Sequence, residues 1–254
     1  MEKLLENKVI VISGGTKGIG KGVAIEAAKQ GAKVVIGGRD EEAALQIIDK
    51  VEAMGGSAIF VPVDLLNVED CAKMFDIAVK EYGKIDGYVN YAGVTDEGSV
   101  VDCDEARFDH VFDINIKAAF FCIQNAIKCM KDRGGSIVVF GSPHDDKGEK
   151  NRAVYACSKA ALSVLVTHIA KYYGEDKIRA NYITMGWTPT EGELALRKKE
   201  GMGEEDLRKL AASVIPMGRI QEVEDHVPAV MYLLSDYAAM VTGANIRITG
   251  GLYF

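Results

Sequence analysis

Cysteine, histidine and proline are scarce in this sequence: its 254 residues include five cysteines, four histidines and five prolines. The cysteines form no CxxC or Cys/His ligand spacing, so we expect free thiols and no metal site. No apolar run approaches the roughly 18 residues of a membrane helix. The first segment, MEKLLENKVIVISGG, lacks the basic and apolar regions of a signal peptide. These absences predict a cytoplasmic protein with no membrane contact.

Basic residues are also fewer than acidic ones, with 30 lysines and arginines against 37 aspartates and glutamates. The formal net charge is −7 at pH 7, which argues against a dedicated nucleic-acid surface, because such a surface needs clustered positive charge. Hydrophobic residues make up 48% of the chain, enough to bury a sizeable core. The composition therefore predicts a folded protein rather than a disordered chain.

Strand and helix patterns alternate along the whole chain. Apolar runs rich in β-branched residues predict seven buried strands, at Lys8–Ser13, Lys33–Gly37, Ala58–Val63, Gly87–Tyr91, Ser136–Phe140, Arg179–Thr184 and Asn245–Thr249. Helical patterns include Gly18–Gln30, Glu41–Met54, Val68–Tyr82, Glu105–Lys131, Ala153–Tyr173 and Val223–Leu234. These units predict an α/β fold: a doubly wound parallel sheet of about seven strands with helices on both faces.

One charged helical segment, Glu191–Leu210, interrupts this alternation. We interpret residues 1–254 as one domain, because no Pro/Ser-rich linker or internal repeat divides them. The insertion predicts a small lid at about 187–215, with Leu207, Leu210 and Val214 facing inward. A rigid surface hairpin is the alternative.

A glycine-rich turn follows the first predicted strand, in VIVISGGTKGIG. Gly14, Gly18 and Gly20 would let backbone N–H groups and a helix N-terminus approach a pyrophosphate. Glycines at such a turn can also serve backbone geometry alone. The strand before the turn and the strand after its helix favour a nucleotide site.

The end of the second strand indicates which nucleotide is bound. A carboxylate there would accept hydrogen bonds from the adenine ribose, but the chain has Gly37, Gly38 and Arg39. Arg39 offers a fork for phosphate oxygens, and Lys17 is a second cation. We therefore predict NADP(H) over NAD(H), with two solvated surface cations as the alternative. Asp64, at the end of the third strand, is placed to touch the adenine.

The segment 141–159, GSPHDDKGEKNRAVYACSK, is polar and then helical. Tyr155 and Lys159 are four residues apart and share one helix face, and Ser142 ends a strand thirteen positions earlier. A solvated loop that leads into an ordinary amphipathic helix would explain the pattern, as would an active site.

Taken in order, these motifs resemble the short-chain dehydrogenase/reductase family. The resemblance rests on SGGTKGIG (13–20), NYAG (90–93), Asn115, Ser142, YACSK (155–159) and VTGANIRITGG (241–251), and covers nearly the whole chain. It implies a Rossmann fold, a nicotinamide cofactor, an Asn115–Ser142–Tyr155–Lys159 tetrad and a homotetramer (or homodimer). The cofactor contacts it implies are Gly14, Thr16, Lys17, Gly18, Ile19, Gly20, Arg39, Asp64, Leu65, Asn90, Ala92, Gly93, Tyr155, Lys159, Gly186, Thr188 and Thr190.

The chemistry of the tetrad can also be argued from the residue types. A free tyrosine has a pKa near 10, and a neighbouring Lys159 ammonium and a positive nicotinamide would lower that of Tyr155. Tyr155 would then exchange a proton with the substrate oxygen while Ser142 positions that oxygen. Lys159 would bind the nicotinamide ribose, and Asn115 would hold a water that links Lys159 to solvent.

Two positions depart from the family pattern. Tyr91 stands where a second asparagine is usual, and Met185 stands where a proline normally precedes Gly186. Both should change the walls around the nicotinamide, and Met185 also removes a rigid φ restraint. We therefore expect a looser entrance to the lid.

The resemblance places the loop after Ser142, the stretch Val94–Ser99 and the insertion around the substrate. The first is rich in charge, and Trp187 is the only tryptophan, which suits stacking on a sugar or ring face. We predict a small polar carbonyl or polyol substrate that contacts His144, Tyr91 and Trp187. Alternatively, the charges of residues 143–152 point only to water.

Three other functions stay open at this point. A 3-oxoacyl-carrier-protein reductase would want a basic patch at the active-site mouth, and a hydroxysteroid-type dehydrogenase would want an apolar pocket. A nucleotide sensor without turnover would not need Tyr155 or Lys159, and both are present.

Overall fold

Seven parallel strands form one sheet at the centre of the computed structural model, which describes residues 3–147 and 149–252. Their order across the sheet is β3-β2-β1-β4-β5-β6-β7. The strands are β1 (Val9–Ser13), β2 (Lys33–Gly38), β3 (Ser57–Pro62), β4 (Gly87–Asn90), β5 (Gly135–Gly141), β6 (Ile178–Met185) and β7 (Asn245–Ile248). All seven predicted strands are confirmed to within two residues at each end, as is the doubly wound parallel sheet.

Nine α-helices surround the sheet in the described part of the chain. They are α1 (Gly18–Lys29), α2 (Glu41–Ala53), α3 (Val68–Tyr82), α4 (Glu105–Phe112), α5 (Ala119–Met130), α6 (Ala153–Tyr172), α7 (Glu191–Lys199), α8 (Glu204–Val214) and α9 (Val223–Leu234). The predicted helix Glu105–Lys131 is wrong as one α-helix, because a π-helical segment, Asp113–Ala118, separates α4 from α5.

The core has one layer on each side of the sheet, because successive side chains of a strand point to opposite faces. Along β1, Val9 and Val11 pack with α3, α5 and α6. Ile10 and Ile12 pack with α1, α2 and α9. Both faces are therefore covered, which is why the strands are continuously apolar.

Helix α6 is apolar along most of its length. Its mean hydropathy reaches 1.4, and its 20 residues would suffice to cross a membrane by length and composition. In the structure, Leu162, Val166 and Ile169 pack against the sheet, which is typical of a core helix.

The insertion consists of α7 and α8. Leu207 is fully buried with Ala211 and Ile215 in a separate small core. The prediction that Leu210 and Val214 face inward is wrong, because they are 40% and 45% exposed. The buried stripe of α8 has i, i+4 spacing, and these two residues lie on the neighbouring stripe.

The order of the strands also locates a cleft. β1 and β4 are neighbours, but the chain runs from β1 toward β2 on one side and from β4 toward β5 on the other. The loops after these two strands therefore diverge, and ligands of open α/β sheets bind in the crevice at this switch point.

Candidate active site

Helix α6 carries Tyr155 and Lys159 into the cleft. One turn of helix separates them, and the Lys159 Nζ lies 5.7 Å from the centre of the Tyr155 ring. Lys159 is only 6% exposed, and its Nζ donates a hydrogen bond of 3.1 Å to the carbonyl oxygen of Phe140. This bond ties the ammonium to the end of β5.

Ser142 follows β5 directly and is 4% exposed. Its Oγ accepts a hydrogen bond of 3.3 Å from the backbone N–H of His144, which caps the short 3₁₀-helix Pro143–Asp145. The Ser142 side chain also lies close enough to Tyr155 to lower the pKa of that residue. The structure therefore brings together the serine, tyrosine and lysine of the predicted tetrad.

Asn115 lies in the π-helical segment and is completely buried. Its Oδ1 accepts from the backbone N–H of Val94 at 2.8 Å, and its Nδ2 donates to the Val94 carbonyl at 2.9 Å and to the Ser158 Oγ at 3.0 Å. Gly93 lies between Asn115 and Lys159, because a Cβ atom there would be 3.1 Å from Asn115 Oδ1 and 3.4 Å from Lys159 Nζ. The Asn115 side chain thus ties the loop after β4 to α6, beside Lys159.

Burial shifts the pKa values of both Tyr155 and Lys159. It raises the pKa of Tyr155, outweighing the opposing hydrogen bond from Ser142 and the charge of Arg152. It also lowers the pKa of Lys159 to about 8, although the Asp145 carboxylate opposes this. The expectation that Lys159 depresses the tyrosine pKa is wrong for the protein alone, because desolvation disfavours the charged forms of both groups.

Tyr182 fills the space beneath the active site. Its ring is 2% exposed, its hydroxyl donates to the Lys159 carbonyl at 3.1 Å, and the Asp145 carboxylate lies close enough to raise its pKa further. Burial raises the pKa of this hydroxyl well above its usual range. A Cβ atom on Gly141 would overlap the Tyr182 ring, so position 141 has room only for glycine.

Replacement of Gly141 by alanine should therefore lower the free energy of unfolding by about 2–3 kcal/mol, because an overpacked buried ring must move. The measurement is urea denaturation, with Gly174→Ala as the control, since a Cβ there meets only the Ala170 carbonyl at 3.5 Å. Equal stabilities of the two variants would show that the Tyr182 ring adapts freely.

The glycine-rich turn has the geometry of an anion site. Gly14 has φ +76°, and a Cβ there would lie 2.8 Å from the backbone nitrogen of Ala92. A Cβ on Gly20 would overlap the Gly14 carbonyl oxygen. The N–H of Gly18, which begins α1, donates to Oε2 of Glu191 at 2.9 Å. A carboxylate thus lies at the helix N-terminus, where a phosphate would bind.

Tyr91 lies against this same turn. Its ring packs edge-on against Phe140, with the centroids 5.2 Å apart, and its hydroxyl lies 3.0 Å from the position of a Cβ atom built on Gly18. Burial raises its pKa to about 12. Tyr91 therefore shapes the wall between the glycine-rich turn and the loop after β4, on the nucleotide side of the cleft.

The ends of β2 and β3 form the outer part of the nucleotide cleft. Thr16, Lys17, Arg39, Asp40 and Glu41 line a recess of about 470 Å³. Lys17 Nζ is 2.8 Å from Asp40 Oδ2, so one of the two cations predicted from the sequence is already paired. Arg39 is exposed and makes no ion pair within the described residues.

The remaining predicted nucleotide contacts surround this cleft. Asp64 is exposed and Leu65 half-buried after β3. Asn90 is 2% exposed, and its Oδ1 accepts from the hydroxyls of Ser13 and Tyr88. Asn90 Nδ2 has no partner within the described residues. Ala92 packs against Gly14.

The connection from β6 to α7 carries Gly186, Thr188 and Thr190. Gly186 donates its N–H to the Ile248 carbonyl at 2.7 Å, and Met185 is paired with Ile248 in the sheet. These bonds to β7 hold the backbone on both sides of Met185, and a looser entrance to the lid stays a prediction. Thr190 caps α7 and packs against Gly18.

Two buried side chains missed by the sequence interpretation support this connection. The Nε2 atom of His226, on α9, lies 2.8 Å from Thr188 Oγ1. Burial lowers the pKa of His226 to about 4. Gln221, 4% exposed, lies against Gly186. The sequence signal that could have identified His226 is a histidine on the otherwise apolar inner face of α9.

A chain of hydrogen-bonded charged groups, here called the mouth network, links the insertion to the loop after β4. Trp187 Nε1 donates to Glu193 at 2.5 Å, and Arg197 bonds to Glu193 and Glu200, each at 2.7 Å. The mouth network continues from Glu200 to Glu97, whose carboxyl groups lie close enough to shift each other's pKa, and ends in the ion pair of Glu97 with Arg152 at 3.2 Å.

The mouth network is nearly balanced in charge. Burial and the neighbouring Glu200 raise the pKa of Glu97, so this pair of carboxyl groups holds a proton more readily than isolated ones. His144 lies beside the network, 6.2 Å from the Tyr155 ring between centroids and 3.0 Å from Glu149.

This parallel sheet, with an anion-binding turn after β1 and a Ser–Tyr–Lys group at its edge, defines a dinucleotide-dependent oxidoreductase. Residues 14–253 match the family model described as enoyl-(acyl carrier protein) reductase. The chain belongs to the short-chain dehydrogenase/reductase family and is an NAD(P)-dependent oxidoreductase.

Similar proteins match over nearly the full chain. L-rhamnose 1-dehydrogenase (NAD(P)(+)) of Azotobacter vinelandii is 33% identical over 256 residues, which are 98% of each chain. Versicolorin reductase of Emericella nidulans is 29% identical over 98% of this chain and 97% of its own. A short-chain type dehydrogenase/reductase from Mycobacterium marinum superimposes with a TM-score of 0.90 at 29% identity, over 99% and 97% of the two chains.

Proposed function

We propose that the protein interconverts a carbonyl compound and a secondary alcohol by hydride transfer, with NADP(H) preferred over NAD(H) and a small polar, sugar- or polyol-like substrate. The observation that carries the reaction is that Ser142, directly after β5, and Tyr155, at the start of α6, lie close enough for Ser142 to lower the pKa of Tyr155. Two hydroxyls placed together can both reach one substrate oxygen. Lys159, one helical turn after Tyr155, places its ammonium group 5.7 Å from the centre of the Tyr155 ring.

The residues that we assign to the cofactor fit a dinucleotide. Gly18 already holds a carboxylate as a stand-in anion, and Gly14 and Gly20 leave no room for side chains. When bound, the nicotinamide supplies or accepts the hydride. Thr188 and Thr190 would hold the nicotinamide end, and Asn90, Ala92 and Gly93 the middle of the cofactor.

Each residue of the tetrad then has one task. Tyr155 donates its hydroxyl proton to the substrate oxygen in reduction and accepts it in oxidation. Ser142 donates a hydrogen bond to the same oxygen. Lys159 binds the ribose hydroxyls and stabilises the phenolate as it forms. Asn115 anchors the loop after β4 beside Lys159, and we assign to it a water that would carry protons from Lys159 to solvent.

The preference for NADP(H) depends on Arg39, because Lys17 is already paired with Asp40. The planar guanidinium can bind a 2′-phosphate through two hydrogen bonds. No carboxylate lies at the tip of β2, where one would accept bonds from the ribose hydroxyls.

Glu191 competes with the cofactor for the Gly18 N–H. Glu191→Gln should tighten NADPH binding about three- to tenfold, because a full negative charge no longer occupies the anion site. Fluorescence titration measures this, and Glu205→Gln is the control, since Glu205 lies in the same insertion and pairs with Lys209. An equal gain in both variants would indicate a general charge effect instead.

The mouth network supports a neutral polar substrate. Its three glutamates and two arginines largely cancel, so it offers hydrogen bonds with only a small net negative charge, and Trp187 adds a ring face. We propose Trp187 and His144 as substrate contacts, and Tyr91 as a residue that bounds the nicotinamide. The relative named as an L-rhamnose dehydrogenase acts on a substrate of this class.

The experiment that tests the proposal has two steps. NADPH and NADH are first titrated by fluorescence, and turnover is then assayed with polar sugars and ketoacids, steroids and acyl thioesters. Tight NADPH binding with turnover on the polar compounds is the expected result. Turnover confined to steroids or to acyl thioesters would overturn the polar-substrate assignment in favour of a hydroxysteroid-type or 3-oxoacyl-carrier-protein reductase.

We further propose a homotetramer (or homodimer) built on two apolar faces. Val101 and Val164 are 92% and 69% exposed near α4 and α6, where a groove of about 340 Å³ also opens. Met240 and Tyr237, after α9, are 95% and 71% exposed. Two separate self-complementary faces are what a tetramer with two-fold axes needs. Light scattering would give four times the 27.5 kDa chain mass, or twice for a dimer.

The other expectations from the sequence remain proposals. These are a single domain over residues 1–254 with a lid at about 187–215, a cytoplasmic location, and no membrane or nucleic-acid partner. The aromatic pair Tyr253 and Phe254 also suits burial at a subunit interface, and this prediction concerns residues outside those that the structure describes.

A further inference from the structure

Arg152 is a buried cation at the start of the helix that carries Tyr155. It is 9% exposed, whereas the other charged residues described in the loop 143–152 are half-buried or exposed. It immediately precedes α6, three residues before Tyr155. Its backbone N–H donates to the Glu149 carbonyl at 3.2 Å, and the residue forms a β-bridge with Gly98. The backbone of Arg152 is therefore held on both sides of the cleft mouth.

The charge of Arg152 is only partly compensated. Its one ion pair within the described residues joins Nη2 to Oε1 of Glu97 at 3.2 Å, and the two side chains are 10% and 40% exposed, respectively. Water screens the charge of an exposed group much more than that of a buried one. The guanidinium therefore acts on its protein neighbours more strongly than the Glu97 carboxylate does.

Two rings of the active site lie within reach of this charge. The centroids of His144 and Tyr155 are 6.2 Å apart, and Tyr155 is three positions after Arg152, a spacing that makes side chains neighbours on a helix. Burial lowers the pKa of His144, and the charge of Arg152 lowers it further. The same charge opposes the burial that raises the pKa of Tyr155. The guanidinium thus lies beside both rings.

The other titratable groups around Tyr155 do not replace this cation. Apart from Arg152, these groups are Lys159, His144, Asp145, Glu193, Tyr91 and Tyr182. Asp145 and Glu193 oppose ionisation of the phenol. Lys159 loses its charge early, because burial lowers its pKa to about 8, whereas a guanidinium stays protonated. Above that pH, Arg152 is the only cation among these groups.

We propose that Arg152 is a positioning residue for the proton transfer: its permanent charge favours the ionised form of Tyr155, and Glu97 sets how strongly that charge acts. The inference rests on the proposed function, because it assigns the proton transfer to Tyr155. Since Glu97 also contacts the insertion through Glu200, the position of α7 would be felt at the reacting hydroxyl.

The test titrates Tyr155 itself and needs no substrate. Protein isotopically labelled at the phenolic carbon of tyrosine is followed by NMR against pH, with and without NADP⁺, and the resonance missing in Tyr155→Phe is assigned to Tyr155. Arg152→Gln should raise the pKa of Tyr155 by about one unit, and Glu97→Gln should lower it by about 0.5 unit. Arg152→Lys keeps the charge and should retain the pKa to within about 0.3 unit.

Opposite shifts from the two partners of one ion pair are a result that a merely structural role would not produce. Arg107→Gln is the control, because Arg107 also pairs with a carboxylate of the loop after β4, Asp96, at 3.5 Å. It should leave the Tyr155 titration unchanged.

Three results would overturn the role of Arg152: no shift in Arg152→Gln, the same shift in Arg107→Gln, or shifts of one sign in Arg152→Gln and Glu97→Gln. If Arg152→Gln failed to fold, Glu97→Gln would still decide, since its titration must move downward. Failure of the wild-type protein to bind NADP⁺ would instead refute the proposed cofactor, while the titration of the protein alone would still test Arg152.

Discussion

Tyr155→Phe is expected to lower kcat by about 10²–10⁴-fold, the usual contribution of a positioned general acid–base group. The phenyl ring fills the same space between Ser142 and Lys159 but has no proton to exchange with the substrate oxygen. Burial raises the pKa of Tyr155 in the protein alone, so the proton is held until the substrate and cofactor arrive. Steady-state kinetics in both directions measure the loss.

Cofactor binding provides the control for this variant. The Kd of NADPH should change less than about threefold, since the hydroxyl is directed toward the substrate. Tyr172→Phe, on the same helix but 61% exposed, should keep full activity. If Tyr155→Phe retained its turnover, the proton would have to come from another group, and the assigned role of Tyr155 would be wrong.

Arg39→Asp is expected to change the preference for NADPH over NADH by about 10²-fold. The variant loses a charge-assisted bond to the 2′-phosphate and places a carboxylate where it repels that phosphate and can bind the ribose hydroxyls. The ratio of kcat/KM for the two cofactors is the measurement. Lys17→Ala should have a smaller effect, because Asp40 already neutralises Lys17.

A matched variant separates the effect of a charge at position 39 from the effect of the protein's overall charge. Arg133→Asp makes the same change in charge just before β5, at the amino-terminal edge of the sheet. It should leave the cofactor ratio unchanged. If both variants shifted the ratio equally, or if neither did, the assignment of NADP(H) through Arg39 would fail.

The sheet could be predicted almost completely from the sequence, because each parallel strand is buried on both faces and is therefore a continuous apolar run. The Ser142, Tyr155 and Lys159 cluster was predictable through the resemblance of the ordered motifs to a known family, because the spacing of these three residues alone left a solvated loop open. The strand signal, in contrast, is local to each run.

The rest depended on contacts between distant parts of the chain. Asn115 lies in the π-helical segment and hydrogen-bonds to Val94 and Ser158. A hydrophobic pattern of helical period does not show where an α-helix changes to a π-helix. The contact of Glu191 with Gly18 joins residues 173 positions apart. His226 was not recognised because α9 has the pattern of a core helix.

The close packing of Tyr182 against Gly141 restricts how these two positions can change in evolution. The tyrosine ring occupies the volume that any side chain at position 141 would need, and its hydroxyl reaches Lys159 and Asp145. Position 141 cannot change alone: a larger residue there requires a smaller one at 182 beforehand. Among relatives, the two positions should therefore covary, with a bulky aromatic at 182 found only beside a glycine at 141.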